Sequence, residues 1–170
     1  MSAERRSLPL ARLTRAAFAP YGELIDAAGV EPQVVNAGTA LRFAPLAGVQ
    51  LVGGSPSAAA VIGIYRAQPR ALPLPLRELE RHPLASQAFV PLAPGRYLVV
   101  VAGSAPEPVA ADVRVFVASG QQGVNLRAGV WHHALLALDR ESEFLVVERA
   151  SAEGNLDTWA TPDWGLWIDG

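Results

Sequence analysis

Cysteine is absent from the 170 residues, and so is lysine; all 14 basic side chains are arginine. Without cysteine there is no disulfide, no thiolate nucleophile and no Cys-ligated zinc or iron–sulfur centre. Without lysine there is no Schiff-base chemistry. Arginine remains, and its planar fork can clamp a carboxylate with two parallel hydrogen bonds. Net charge is also scarce, at -2, so no basic field recruits nucleic acid. No apolar run approaches the roughly 20 residues of a membrane span, and Arg5-Arg6 does not lead into a signal-peptide core. The expected setting is the cytoplasm, with no membrane partner. Gly-x-Ser-x-Gly, His-Glu-x-x-His and Gly-rich phosphate-loop motifs are missing too.

What is present is apolar and heavily punctuated. Hydrophobic residues make up 51% of the chain, enough for a substantial core in one domain over 1–170. The prolines fall almost wholly before residue 110 and separate short β-branched runs. Thr14 caps a short helical turn that Pro20 closes. Strands are expected at Tyr21–Ile25, Val34–Asn36, Leu41–Phe43, Val49–Val52, Ala58–Arg66, Ala88–Val90, Tyr97–Val101, Val113–Ala118, Val130–Leu138 and Phe144–Glu148. Gly53-Gly54-Ser55-Pro56 reads as a turn. This is an all-β chain, a sandwich or barrel of about nine to eleven short strands. The tail 155–170 carries Trp159, Trp164 and Trp167, which need burial in the core or at a subunit interface.

The chemistry gathers in Glu80-Arg81-His82-Pro83-Leu84-Ala85-Ser86-Gln87. Leu76–His82 alternates as a half-buried strand, with a helix over Leu76–Arg81 as the competing reading. On a strand, Glu80 and His82 share a face, about 6.6 Å apart. Pro83–Ser86 then makes a four-residue hairpin loop that returns Gln87 opposite His82. Far along the chain, Trp131-His132-His133 supplies a second polar group. Adjacent residues on a strand face opposite ways, so only one of this histidine pair lines the interior. His132 is that one; His133 and Trp131 are packing residues.

The spacing of Glu80, His82 and Gln87, followed by Gly129-Val130-Trp131-His132, resembles the two motifs of cupins, metal-binding jelly-roll barrels. Glu80, His82, Gln87 and His132 are the candidate ligands of a divalent ion such as nickel, zinc or manganese. The alternative is a hydrogen-bonded, metal-free interior. A closer resemblance is to the ureidoglycolate lyase family, once called ureidoglycolate hydrolases. It rests on Phe18-Ala19-Pro20-Tyr21-Gly22, Tyr65-Arg66-Ala67-Gln68-Pro69, Glu80 through Pro91, Gly120 through Asn125, Gly129 through His133, and Phe144 through Arg149. It runs from about residue 10 to residue 150 and leaves the tail outside.

The resemblance implies a cupin-like double-stranded β-helix with short helical segments, forming a homodimer. It implies cleavage of ureidoglycolate to glyoxylate and urea, late in allantoin breakdown, with nickel or another divalent ion as cofactor. His82 or His132 is then the base on the substrate hydroxyl, and Glu80 orients an imidazole or donates a proton. Gln87 holds the urea carbonyl or amide. Arg66, preferred over Arg149, clamps the carboxylate. A non-catalytic binder of a small carboxylic acid, or a lyase or isomerase on another hydroxy acid, would use the same residues.

Overall fold

Tyr97–Val101 has no polar face, so it is stable only where both sides are covered. In the computed structural model, which describes residues 4–53, 58–150 and 153–170, every residue of this strand is buried. It pairs antiparallel with Arg114–Ala118 on one side and with Leu136–Ala137 on the other. Leu10–Arg12 extends this sheet, parallel to Arg114–Ala118.

The alternation of Tyr97–Val101 divides the core. Tyr97, Val99 and Val101 pack with Phe89, Val124, Phe144 and Val146. Those partners belong to a five-stranded antiparallel sheet, ordered Gly22–Ile25, Gly123–Leu126, Gln87–Pro91, Ser142–Arg149, Ala60–Ala67. Leu98 and Val100 point the other way, into a cluster with Leu76, Leu79, Trp131, Leu166 and Ile168. The architecture is all-β and cupin-like, but its sheets face one another without closing into a barrel.

Sixteen strands occur among the described residues, several of only two or three residues; nine reach four or more. The helical turn is Arg15–Phe18, with Thr14 Oγ1 accepting from the Ala17 N–H at 3.2 Å. No helix among the described residues is long and apolar enough to cross a membrane.

The tail covers the second cluster. Leu166–Ile168 pairs with Arg6–Leu8 and Leu74–Pro75, and Asp157–Ala160 pairs with Glu78–Arg81. Trp159 meets Trp131 edge-on, with centroids 6.3 Å apart, and Trp164 packs against the same cluster. Of the two expected uses of these indoles, both serve the chain's own core. Trp167 is half-buried, with the Arg5 guanidinium 4.5 Å above its ring.

Three expected elements differ. Glu78–Arg81 is a strand, but it does not return as a hairpin into Gln87–Pro91. Its partner is Asp157–Ala160, whereas Gln87–Pro91 pairs with Gly123–Leu126 and Ser142–Arg149. Pro83 interrupts the ladder, and the chain passes to the other sheet, so Gln87 does not stand opposite His82. Val130–Leu138 is not one strand: only Leu136–Ala137 is, and His132 is held by isolated bridges to Glu80 and Val101. Val49–Val52 is likewise no strand, with only Leu51 bridged to Ala85. Gly54, Ser55 and Pro56 of the expected turn lie outside the described residues.

Candidate active site

The backbone places the first pair of functional side chains. The Glu80 N–H donates to the His132 carbonyl at 2.7 Å, and the His132 N–H donates to the Glu80 carbonyl at 2.8 Å. Residues that exchange both hydrogen bonds project their side chains to the same side. Gly129, at φ 81, turns the chain into this segment, in a left-handed conformation that suits glycine. The Gly129 N–H donates to the His82 carbonyl at 2.8 Å, tying the two distant motifs together.

Both imidazoles are then fixed by backbone carbonyls. A carbonyl only accepts, so the bonded ring nitrogen carries the proton. His82 Nδ1–H donates to the Asn155 carbonyl at 2.8 Å, and His132 Nδ1–H to the Val130 carbonyl at 2.9 Å. That leaves Nε2 of each ring with a free lone pair. Both Nε2 atoms are buried without a hydrogen-bond partner. The ring centroids are 5.3 Å apart. Glu80 Oε1 lies 3.6 Å from His132 Nε2. The Glu80 carboxyl is held below its ordinary pKa chiefly by the His132 ring at its side, with burial opposing and, when the rings are protonated, the His132, His82 and His133 charges adding. It is therefore ionised at neutral pH.

A divalent ion fits this group. One donor atom from each of Glu80, His82 and His132 lies within 4.8 Å of the others. Two imidazole nitrogens and a carboxylate suit zinc, nickel and similar ions. The orphaned Nε2 atoms would be the ligating ones, and each ring's opposite N–H rests on a carbonyl, the arrangement usual for ligating histidines.

Glu80 and His82 open onto a cavity of about 630 Å³, which also has Tyr65, Gln87, Glu148 and Arg149 in its wall. This volume suits a small-molecule site. Gln87 Nε2 donates to Glu148 Oε2 at 2.9 Å, and its own Oε1 is buried and unpartnered. The Tyr65 hydroxyl sits 3.1 Å from each Glu148 oxygen. Burial first, then the charge and hydrogen bond of Glu148 and the charge of Glu80, push its phenol up to about 12, so it stays a donor.

The two candidate arginines differ in kind. Arg66 is exposed, and its Nε and Nη2 donate to Glu143 at 3.0 and 2.7 Å. Its charge is already matched. Arg149 has Nε and Nη1 buried with no hydrogen-bond partner among the described residues. Both arginines are in the cavity wall. His133 stands apart: its ring donates from Nδ1 to the Ala134 carbonyl at 2.8 Å, and burial lowers its basicity.

Three contributors were not singled out in the sequence. Asn155 holds His82 through its carbonyl, while its Oδ1 accepts from the Leu84 N–H at 2.8 Å. No local signal marks it. Glu148 and Tyr65 could have been found by alternation, since Phe144, Val146 and Glu148 share a face, as do Gly63 and Tyr65 on the paired strand.

Comparisons with known proteins point to one family. The ureidoglycolate lyase family profile matches residues 5–168, taking in the tail that the resemblance had left outside. The chain is 46% identical over 165 residues to a ureidoglycolate lyase of Burkholderia mallei, covering 96% of this chain and 94% of that one. It is 47% identical over 154 residues to one from Azotobacter vinelandii, covering 89% and 90%. With the Pseudomonas entomophila ureidoglycolate lyase it shares 42% over 158 residues, 93% of each chain. With this extent of match at both ends, the chain belongs to the ureidoglycolate lyase family.

Proposed function

We propose that this protein cleaves ureidoglycolate to glyoxylate and urea, a carbon–nitrogen lyase step late in allantoin breakdown. The observation that supports this most directly is the pair of unpartnered Nε2 atoms of His82 and His132 beside Glu80, next to a cavity whose wall includes Glu80, His82 and an Arg149 with no hydrogen-bond partner for Nε and Nη1 among the described residues. Ureidoglycolate has a carboxylate, and a hydroxyl on the carbon bonded to the ureido nitrogen. Arg149 binds the carboxylate. The hydroxyl proton passes to an imidazole Nε2 as the C=O bond of glyoxylate forms and the C–N bond breaks. The same proton goes to the departing nitrogen, so urea leaves neutral and the atoms balance. His82 is our choice for this transfer: both Nε2 atoms are buried, but the His82 ring belongs to the cavity wall, whereas His132 is only 2% exposed. Glu80, ionised and within 4.8 Å of the His82 donor atom as well as beside His132, stabilises the imidazolium that forms on His82 and does not serve as the proton donor.

Glu80, His82 and His132 are also the residues that would hold nickel, zinc or manganese, and Gln87, expected as a fourth ligand, is left to the substrate. Such an ion supplies positive charge to the developing alkoxide. A lone pair that binds an ion cannot take a proton at the same moment, so the two uses of the imidazoles are separable. The test is release of glyoxylate and urea from ureidoglycolate, with and without chelator, corrected for spontaneous decay. Turnover in both arms supports proton transfer by imidazole; loss with chelator and recovery with one added ion supports the ligand role. No turnover under any of these conditions contradicts the lyase reading.

We also propose a homodimer. Ala60–Ala67 is an edge strand, and its outer face exposes Ile62 at 73% and Ile64 at 54%. An apolar, unpaired edge of this length is normally covered.

A further inference from the structure

The register of the five-stranded sheet pairs Val147 with Ala88, so one step further Gln87 stands opposite Glu148. The Gln87 amide is not free to turn there. Glu148, a carboxylate, only accepts, so the Gln87 NH₂ must point at it, and the 2.9 Å bond shows that it does. The amide oxygen is thereby forced the other way, buried and without a partner. Glu148 itself has about four acceptor positions, of which Gln87 and the Tyr65 hydroxyl occupy only part. The wall formed by these two residues therefore offers chiefly acceptors, the Gln87 Oε1 and the remaining Glu148 lone pairs, beside the second Gln87 N–H.

From this we infer that Gln87 and Glu148 form a specificity edge that recognises the N–H donors at the ureido end of the substrate, with Glu148 fixing the polarity of Gln87. The inference rests on the lyase reading for the identity of the ligand. It also chooses between two earlier possibilities: Gln87 accepts from a ureido N–H and does not donate to the urea carbonyl. A ligand with methyl in place of the terminal NH₂ leaves the edge unsatisfied in a buried wall. Sites of this type discriminate by far more than hydrophobic pockets do. Arg149 is independent of this edge, because it addresses the carboxylate.

The test uses two unreactive ligands of nearly equal shape, N-carbamoylglycine and N-acetylglycine, which differ in a terminal NH₂ against CH₃. Neither has the hydroxyl needed for elimination, so calorimetric binding is read without turnover. The wild-type protein is expected to prefer N-carbamoylglycine by about tenfold or more, the scale of one buried hydrogen bond. Glu148→Gln, which frees the Gln87 amide to turn, and Gln87→Leu, which removes it, should each bring the preference to within about threefold. Arg149→Met should weaken both ligands alike and keep the preference. Equal wild-type affinity for the two ligands, failure of both to bind, or a preference that survives in folded Glu148→Gln and Gln87→Leu would overturn the inference. Absence of glyoxylate release with the ligand preference intact would sink the lyase reading and leave the edge standing.

Discussion

Replacing Asn155 with Ala probes how far the tail controls the site. The change deletes Oδ1, which accepts the Leu84 N–H at 2.8 Å, but leaves the carbonyl that receives His82 Nδ1–H. Asn155 is 5% exposed, so the stranded amide is poorly rehydrated, and the cost is about 1–3 kcal/mol. For a chain of this size each kcal/mol lowers Tm by about 2–4 °C, so the expected fall is roughly 2–12 °C. The effect on catalysis is separate. The two bonds from Asn155 are what hold the segment His82 to Leu84 against the tail. With one lost, the imidazole keeps its partner but not a fixed place for it. Partners of this kind are typically worth about 10–100-fold in affinity or activity. The assay is kcat/KM for ureidoglycolate well below the variant's Tm. Val115→Ala serves as a control, since it loses core packing in the second cluster without touching His82. The expected result is a fall of about 10–100-fold for Asn155→Ala and less than about twofold for Val115→Ala. A matching loss of stability in both with unchanged kcat/KM in Asn155→Ala would refute the claim that the tail orients His82.

Other outcomes follow from the same geometry. Arg149→Met should raise KM for ureidoglycolate by about 10–100-fold, the scale of a charge-assisted hydrogen bond, while Arg66→Met should change it less than about threefold because its guanidinium is already paired with Glu143. Tyr65 should ionise at about 12; its raised value makes its contribution to stability complete below the ordinary phenol value near 10 and lost as pH rises through about 12. Ultraviolet titration of the wild type against Tyr65→Phe should show that phase disappear. Ile62→Arg with Ile64→Arg should halve the mass seen by light scattering; a monomeric wild type would contradict the dimer.

The parts of the fold legible in the sequence are those decided by local pattern. Tyr97–Val101 was readable because five apolar residues in succession need two covered faces, and both are covered. The pairing of Glu80 with His82 on one face was readable from alternation. What failed were statements about partners. Pro83 looks the same whether it starts a hairpin or sends the chain to another sheet, and only the full set of ladders decides. His132 was expected on a strand because its neighbours are apolar, yet the reciprocal bonds with Glu80 do the positioning. The preference for Arg66 comes from its segment alone, which does not reveal that Glu143 pairs with Arg66 while Arg149 Nε and Nη1 meet no partner among the described residues. Asn155 acts on His82 across 73 residues, beyond any local signal.

The most direct measurement is ureidoglycolate turnover by His82→Ala and His132→Ala, each checked for intact folding and corrected for spontaneous decay. Loss of about 10²–10⁴-fold in His82→Ala, the scale of a removed acid–base group, is the predicted result, with a clear loss in His132→Ala as well because Glu80 then lacks the ring that holds it. Near-wild-type release of glyoxylate and urea by both would contradict the account.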